Sequence, residues 1–140
     1  MKKFDILPEE GGLRIRVIAA TRAGLLSAAV QGAFAAAGPK WVQEDPVLAP
    51  VARRQFKIQA ADFSSLVVDL LNQAISLASA NREAYEDISF SLITDTKAEG
   101  ELVGRAVRGF DKEIKSANRP GVNVEKNVVG QWQTIISFEI

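Results

Sequence analysis

Apolar and polar residues alternate at 3–7 (KFDIL) and again at 13–19 (LRIRVIA), the period of a half-buried strand, so the intervening PEEGG predicts a hairpin loop. Pro8 fixes its own backbone there, and Gly11 and Gly12 can take positive φ at little steric cost. Glu9 and Glu10 read either as solvated loop charges or as ligands. The period then changes to three and four. From Thr21, a residue type suited to an N-cap, Leu26, Ala29, Val30, Ala33 and Ala37 form one stripe of a helix that Gly38 and Pro39 should stop. Its small residues, Ala28, Ala29, Gly32 and Ala33, suit close packing. The stretch 39–50 carries three prolines and no period, which predicts a surface connection anchored by Trp41. In VARRQFKIQA, Ala52, Phe56, Ile58 and Ala60 face one way and Arg53, Gln55 and Lys57 the other, a strand with its core on the first set.

The strongest periodicity lies after Asp62, where Phe63, Leu66, Val67, Leu70, Leu71, Ala74 and Ala78 predict a second amphipathic helix. Its polar side, Ser65, Asp69, Asn72, Gln73 and Ser76, suits solvent or a partner. Beyond it the pattern is strand-like. DISFSLIT sends Ile88, Phe90 and Leu92 inward, and ELVGRAVRG follows across KAEG. EIKSAN and VNVEK supply short strands, and QWQTIISFEI aligns Trp132, Thr134, Ile136, Phe138 and Ile140. Two helices followed by a run of strands predict a single α+β domain over 1–140, an antiparallel-rich sheet with both helices packed on it.

Composition narrows the chemistry. With 47% hydrophobic and 24% charged residues in 140, the chain should fold around one core, and it shows no apolar run of membrane-spanning length and no signal-peptide pattern. A soluble, cytoplasmic protein is the expectation. The chain has no cysteine and no histidine, which excludes disulfides, zinc fingers, thiol nucleophiles and histidine-based triads. Any metal would need oxygen ligands and would be a hard cation such as calcium, magnesium or manganese. Lys and Arg number 17 against 17 Asp and Glu, so no overall field favours nucleic acid. A local cluster, Arg105, Arg108, Lys112, Lys115 and Arg119, is the best candidate for anion or RNA contact, against the alternative of solvated charges that keep a sheet from aggregating. No phosphate-binding glycine loop is present.

The order hairpin, helix, strand, helix, strands resembles the archease family, small accessory proteins of the tRNA-splicing RNA ligase. SLVVDLLNQAISL is similar to the family's "LVDWLNELL", EIKSANRPGVNV to "EVKAVTYHGLEV", and GQWQTIISFEI to "GRWVATVILDV". The resemblance implies an α+β fold and a non-catalytic protein, not an enzyme. It implies a protein partner, the RNA ligase, with at most weak RNA contact and no membrane. Archeases carry "HTAD" in the first hairpin, whose aspartate binds a divalent cation together with an aspartate near the C-terminus, and that acidic tip stimulates ligase guanylylation and turnover. Matched without gaps, Glu9 stands at the histidine, Glu10 at the threonine, Gly11 at the alanine and Gly12 at the metal aspartate. Glu139 stands where the second aspartate would be. The "DPxxH" loop is reduced to GFDKE with Asp111, and the histidine of "TYHG" is Pro120. The resemblance therefore implies a degenerate metal site with no cofactor expected. Glu9, Glu10, Glu139 and the Ile140 carboxylate are the groups that could still form an all-oxygen cluster. The alternative is a small-anion or RNA-binding module built on the basic cluster.

Overall fold

The computed structural model describes residues 2–7, 11–118 and 123–140. The predicted hairpin is β1 (Lys2–Leu7) and β2 (Leu13–Ala19), antiparallel with Phe4 opposite Val17. α1 spans Arg22–Ala37, opened by Thr21, whose hydroxyl accepts from the Gly24 amide at 3.0 Å, and closed by Gly38 at φ 69°. The connection after it is more regular than its prolines suggest. Pro39–Trp41 forms β3, which pairs with the far end of β6 (Lys97–Phe110). β4 (Ala52–Gln59) and β5 (Glu83–Ile93) flank the same long strand, one on each edge. α2 (Phe63–Asn81) joins them, with the Asp62 carboxylate accepting from the Ser65 amide at 2.8 Å. β7 (Ser116–Ala117) and β8 (Glu125–Lys126) lie where EIKSAN and VNVEK predicted short strands, and both pair with β9 (Trp132–Glu139).

The expected single sheet is two. β1, β2, β9, β7 and β8 make one, and β3, β4, β5 and β6 make the other. Both helices touch both sheets, which explains why α1 is buried on nearly every side rather than along one stripe: Leu25, Ser27, Ala28, Gly32 and Phe34 are buried together with the predicted Leu26, Ala29, Val30, Ala33 and Ala37. A Cβ on Gly32 would stand 3.0 Å from Ile15 Cδ1 and Phe4 Cγ, so the missing side chain is what lets α1 settle onto the hairpin. One core joins all of this, with Leu66, Leu70, Tyr85, Leu102 and Ile136 fully buried and Phe90 packed at its margin.

Two bulges in β5 correct the predicted facing. Glu86 and Ser91 are extra residues against β6, so the alternation flips after Phe90. Leu92 is exposed, and Ile93 packs against the core in its place. Each bulge sits beside a glycine of β6: Phe90 is opposite Gly100 and Tyr85 opposite Gly104, and a Cβ at either glycine would collide with a β5 carbonyl, Ser89 O or Ala84 O.

Asn72 on the polar side of α2, and Ser64 near its start, are taken up by bonds within the fold. Asn72 Oδ1 accepts from the Ala117 amide at 2.7 Å and its Nδ2 donates to the Ala117 carbonyl, while the Ser64 hydroxyl accepts from the Val124 amide at 3.0 Å. These bonds tie the helix to the β7–β8 segment. Asn72→Ala should cost about 1 to 2 kcal/mol in chemical denaturation, because it leaves a partly buried backbone pair without its partner. α2 is also the one described helix long and apolar enough to cross a membrane, at 19 residues and mean hydropathy 1.3, and its apolar stripe instead fills the core.

Candidate functional site

The open end of the β2–β9 ladder is where the family's metal loop would lie. The ladder ends at Leu13 opposite Phe138, both side chains buried, and Gly12 and Glu139 are the next residues beyond that last pair. Gly11 turns the chain at φ 70°. Glu139 is exposed, with its carbonyl accepting from the Lys115 amide at 2.7 Å, and the Ile140 side chain packs against the core. Glu9 and Glu10 lie outside the described residues. Among the described residues no three acidic side chains converge as metal ligands, and Gly12 contributes none, so the described residues of this tip do not by themselves make an oxygen-ligand set for a divalent ion.

The basic cluster divides. Arg105 turns into the fold: its Nη2 donates to Glu86 Oε1 at 2.7 Å and its guanidinium lies 3.8 Å from the centroid of the Trp41 ring, with the side chain only 11% exposed. Glu86 is the bulged residue of β5, and the bulge is what aims it there. Arg105 is therefore consumed by structure, which is the reason it does not join a free cationic surface. Arg108 is exposed at the rim of a hollow of about 200 Å³ with Arg82 and Glu113, and Lys112 and Lys115 line an adjoining open hollow that also contains Ile140. Arg119 lies outside the described residues.

A third constellation went unread in the sequence. Arg54 Nε and Nη2 donate to the two oxygens of Glu83 at 2.9 and 2.8 Å, and the Tyr85 hydroxyl donates to Glu83 Oε1 at 2.9 Å. Glu83 is buried and Tyr85 fully so. The Arg54 hydrogen bonds hold the Glu83 carboxyl below its ordinary range against the opposing effect of burial; burial, helped by the carboxylate, pushes the Tyr85 phenol up. The signal was present: Arg54 shares the parity of Ala52, Phe56 and Ile58, a charge on the apolar face of its strand. With one fork of donors, one buried carboxylate and a fully buried phenol held protonated, this network stabilises rather than reacts.

The fold and its surface thus define an α+β protein of two antiparallel sheets around a helix pair, with an ion-paired interior and open cationic hollows. The sequence profile of the archease protein family matches residues 4–140, and the chain belongs to that family. Two solved structures share its fold. Protein 1598 of Methanobacterium thermoautotrophicum aligns with a TM-score of 0.68 at 13% identity, covering 98% of each chain. An archease of Thermotoga maritima, described as a possible chaperone, aligns with a TM-score of 0.62 at 14% identity over 96% of this chain and 94% of its own. No protein of curated function matches the sequence.

Proposed function

We propose that this chain is a non-catalytic accessory protein of an RNA-processing partner, an RNA ligase by the family resemblance, and that it acts in the cytoplasm without the family's metal. The observation that carries the reading is the end of the β2–β9 ladder: past its last pair, Leu13 and Phe138, come Gly12, the position matched to the metal-binding aspartate, and an exposed Glu139. The absence of cysteine and histidine from the chain supports a role without chemistry of its own. Contact with the ligase would then rest on shape and on the remaining charges rather than on an ion.

A ligand present at 100 times its Kd stabilises the native state by about 2.7 kcal/mol, or roughly 8 to 12 °C in Tm for a domain of this size. Adding millimolar calcium, magnesium or manganese to metal-free protein should therefore move Tm by less than about 1 °C, against that roughly tenfold larger shift for an occupied site. A clear rise abolished by Glu139→Ala, Glu9→Ala or Glu10→Ala would return these residues to the ligand set. The partner is tested separately: the purified protein should raise guanylylation turnover of its own organism's RNA ligase, and should do so equally after chelation. No effect on the ligase would remove the accessory reading, and an effect lost on chelation would remove the metal-free part of it.

A further inference from the structure

Two surface features each combine apolar side chains with charge, and the charges are of opposite sign. The hollow between the C-terminal end of α2 and the exit of β6 has an apolar floor that includes Phe34, Ile75, Val107 and Phe110, and Arg82 and Arg108 stand at its rim. Neither guanidinium has an ion pair or a hydrogen bond to another described residue. Arg82 holds φ 55°, the left-handed region that non-glycine residues seldom occupy. The adjoining hollow adds Lys112 and Lys115, and of the acids nearby Asp111 is already 3.7 Å from Lys40. Glu113 lines both hollows and offsets part of this charge, so the apolar slot itself is edged by two arginines against one carboxylate.

The complement is the β3–β4 loop. Val47 is 89% exposed and Leu48 67%, flanked by Glu44 and Asp45. The loop is not slack. Asp45 Oδ1 accepts from the Val47 amide at 2.9 Å, the Asp45 carbonyl accepts from the Leu48 amide at 3.1 Å, and Arg105, stacked on Trp41, donates to the Gln43 carbonyl. With Pro46 and Pro50 also restricting it, little conformational entropy is lost when the loop docks.

We propose that a second copy of this chain fills the slot: the 43–48 loop of one protomer inserts Leu48 beside Val47 into the hollow of the other, with Glu44 and Asp45 set against Arg82 and Arg108. A chain of zero formal net charge carries no overall self-repulsion to oppose this. Exchange in both directions closes a two-fold dimer, and the small area of each contact makes it a weak one.

Sedimentation velocity from about 5 to about 500 µM tests this, since a weak dimer dissociates within that range. The expected result is a concentration-dependent dimer that weakens with added salt. Leu48→Asp and Arg108→Glu, both at exposed positions and checked for an unchanged circular dichroism melt, should each weaken it by at least about tenfold. Combining Arg108→Glu with Glu44→Arg should restore it. A chain that stays monomeric throughout overturns the proposal, as does a dimer indifferent to either single variant or a double exchange that fails to recover.

Discussion

Gly104→Ala should leave little or no folded protein, with a loss on the order of 5 kcal/mol where folded material can be measured. The added Cβ would collide with the Ala84 carbonyl, which is backbone and belongs to the strand carrying the fully buried Tyr85. Relief would require β5 to lift from β6 beside its first bulge, and β5 cannot lift without drawing Tyr85 off Phe34, against which it packs edge-on at 5.5 Å between ring centroids. Gly109→Ala is the control, since a Cβ there meets nothing within 4 Å. Equal losses for the two variants, measured by urea denaturation, would show that the cost comes from strand propensity and not from the close approach.

Glu83→Leu should cost about 3 kcal/mol at neutral pH, because it strips the Tyr85 hydroxyl of its acceptor and the Arg54 fork of its carboxylate. The pH dependence identifies the cause. A carboxyl held below its unfolded value stabilises the fold above the ordinary carboxylate pKa of about 4.3, and that contribution drains away as pH falls through the depressed folded value. The gap between wild type and Glu83→Leu should therefore be full at pH 7 and narrow on the acid side of about pH 4. A gap that stays constant down to about pH 3 would assign the loss to packing alone.

What could be read from the sequence was whatever repeats with a fixed period. The Leu66–Leu70–Ala74 stripe, the first hairpin and the alternating C-terminal strand all stand where their patterns put them, and the α+β class follows from their order. What could not be read depends on pairing between distant segments. Nothing local in PKW marks it as a partner for Val107–Phe110, and nothing in DISFSL announces that Ser91 is looped out and reverses the facing of Leu92. The division into two sheets is of the same kind, since a period records which side of a strand is wet and not which sheet it joins. Arg54 and Glu83 are 29 residues apart, so their pairing required the fold, although a charge in an apolar register was a visible irregularity. At the candidate tip, the antiparallel pairing of β2 with β9 agrees with the neighbourhood expected of the first hairpin and last strand. The Arg105 cluster was legible as sequence density but not as two environments, because stacking on Trp41 depends on a bulge.

The central pairing of the first sheet joins residues 13–19 to residues 132–138, so its middle strand is the last to be made. At ribosomal rates of roughly 5 to 20 residues per second, β2 waits about 6 to 23 seconds for its neighbour. During that interval the second sheet, complete by Phe110, can form behind it, while Ile15 and Val17 face a helix with one edge of their own sheet open. The arginines interleaved with them, Arg14 and Arg16, put charge on that waiting edge, which is where a nascent chain is most exposed to pairing with a stranger.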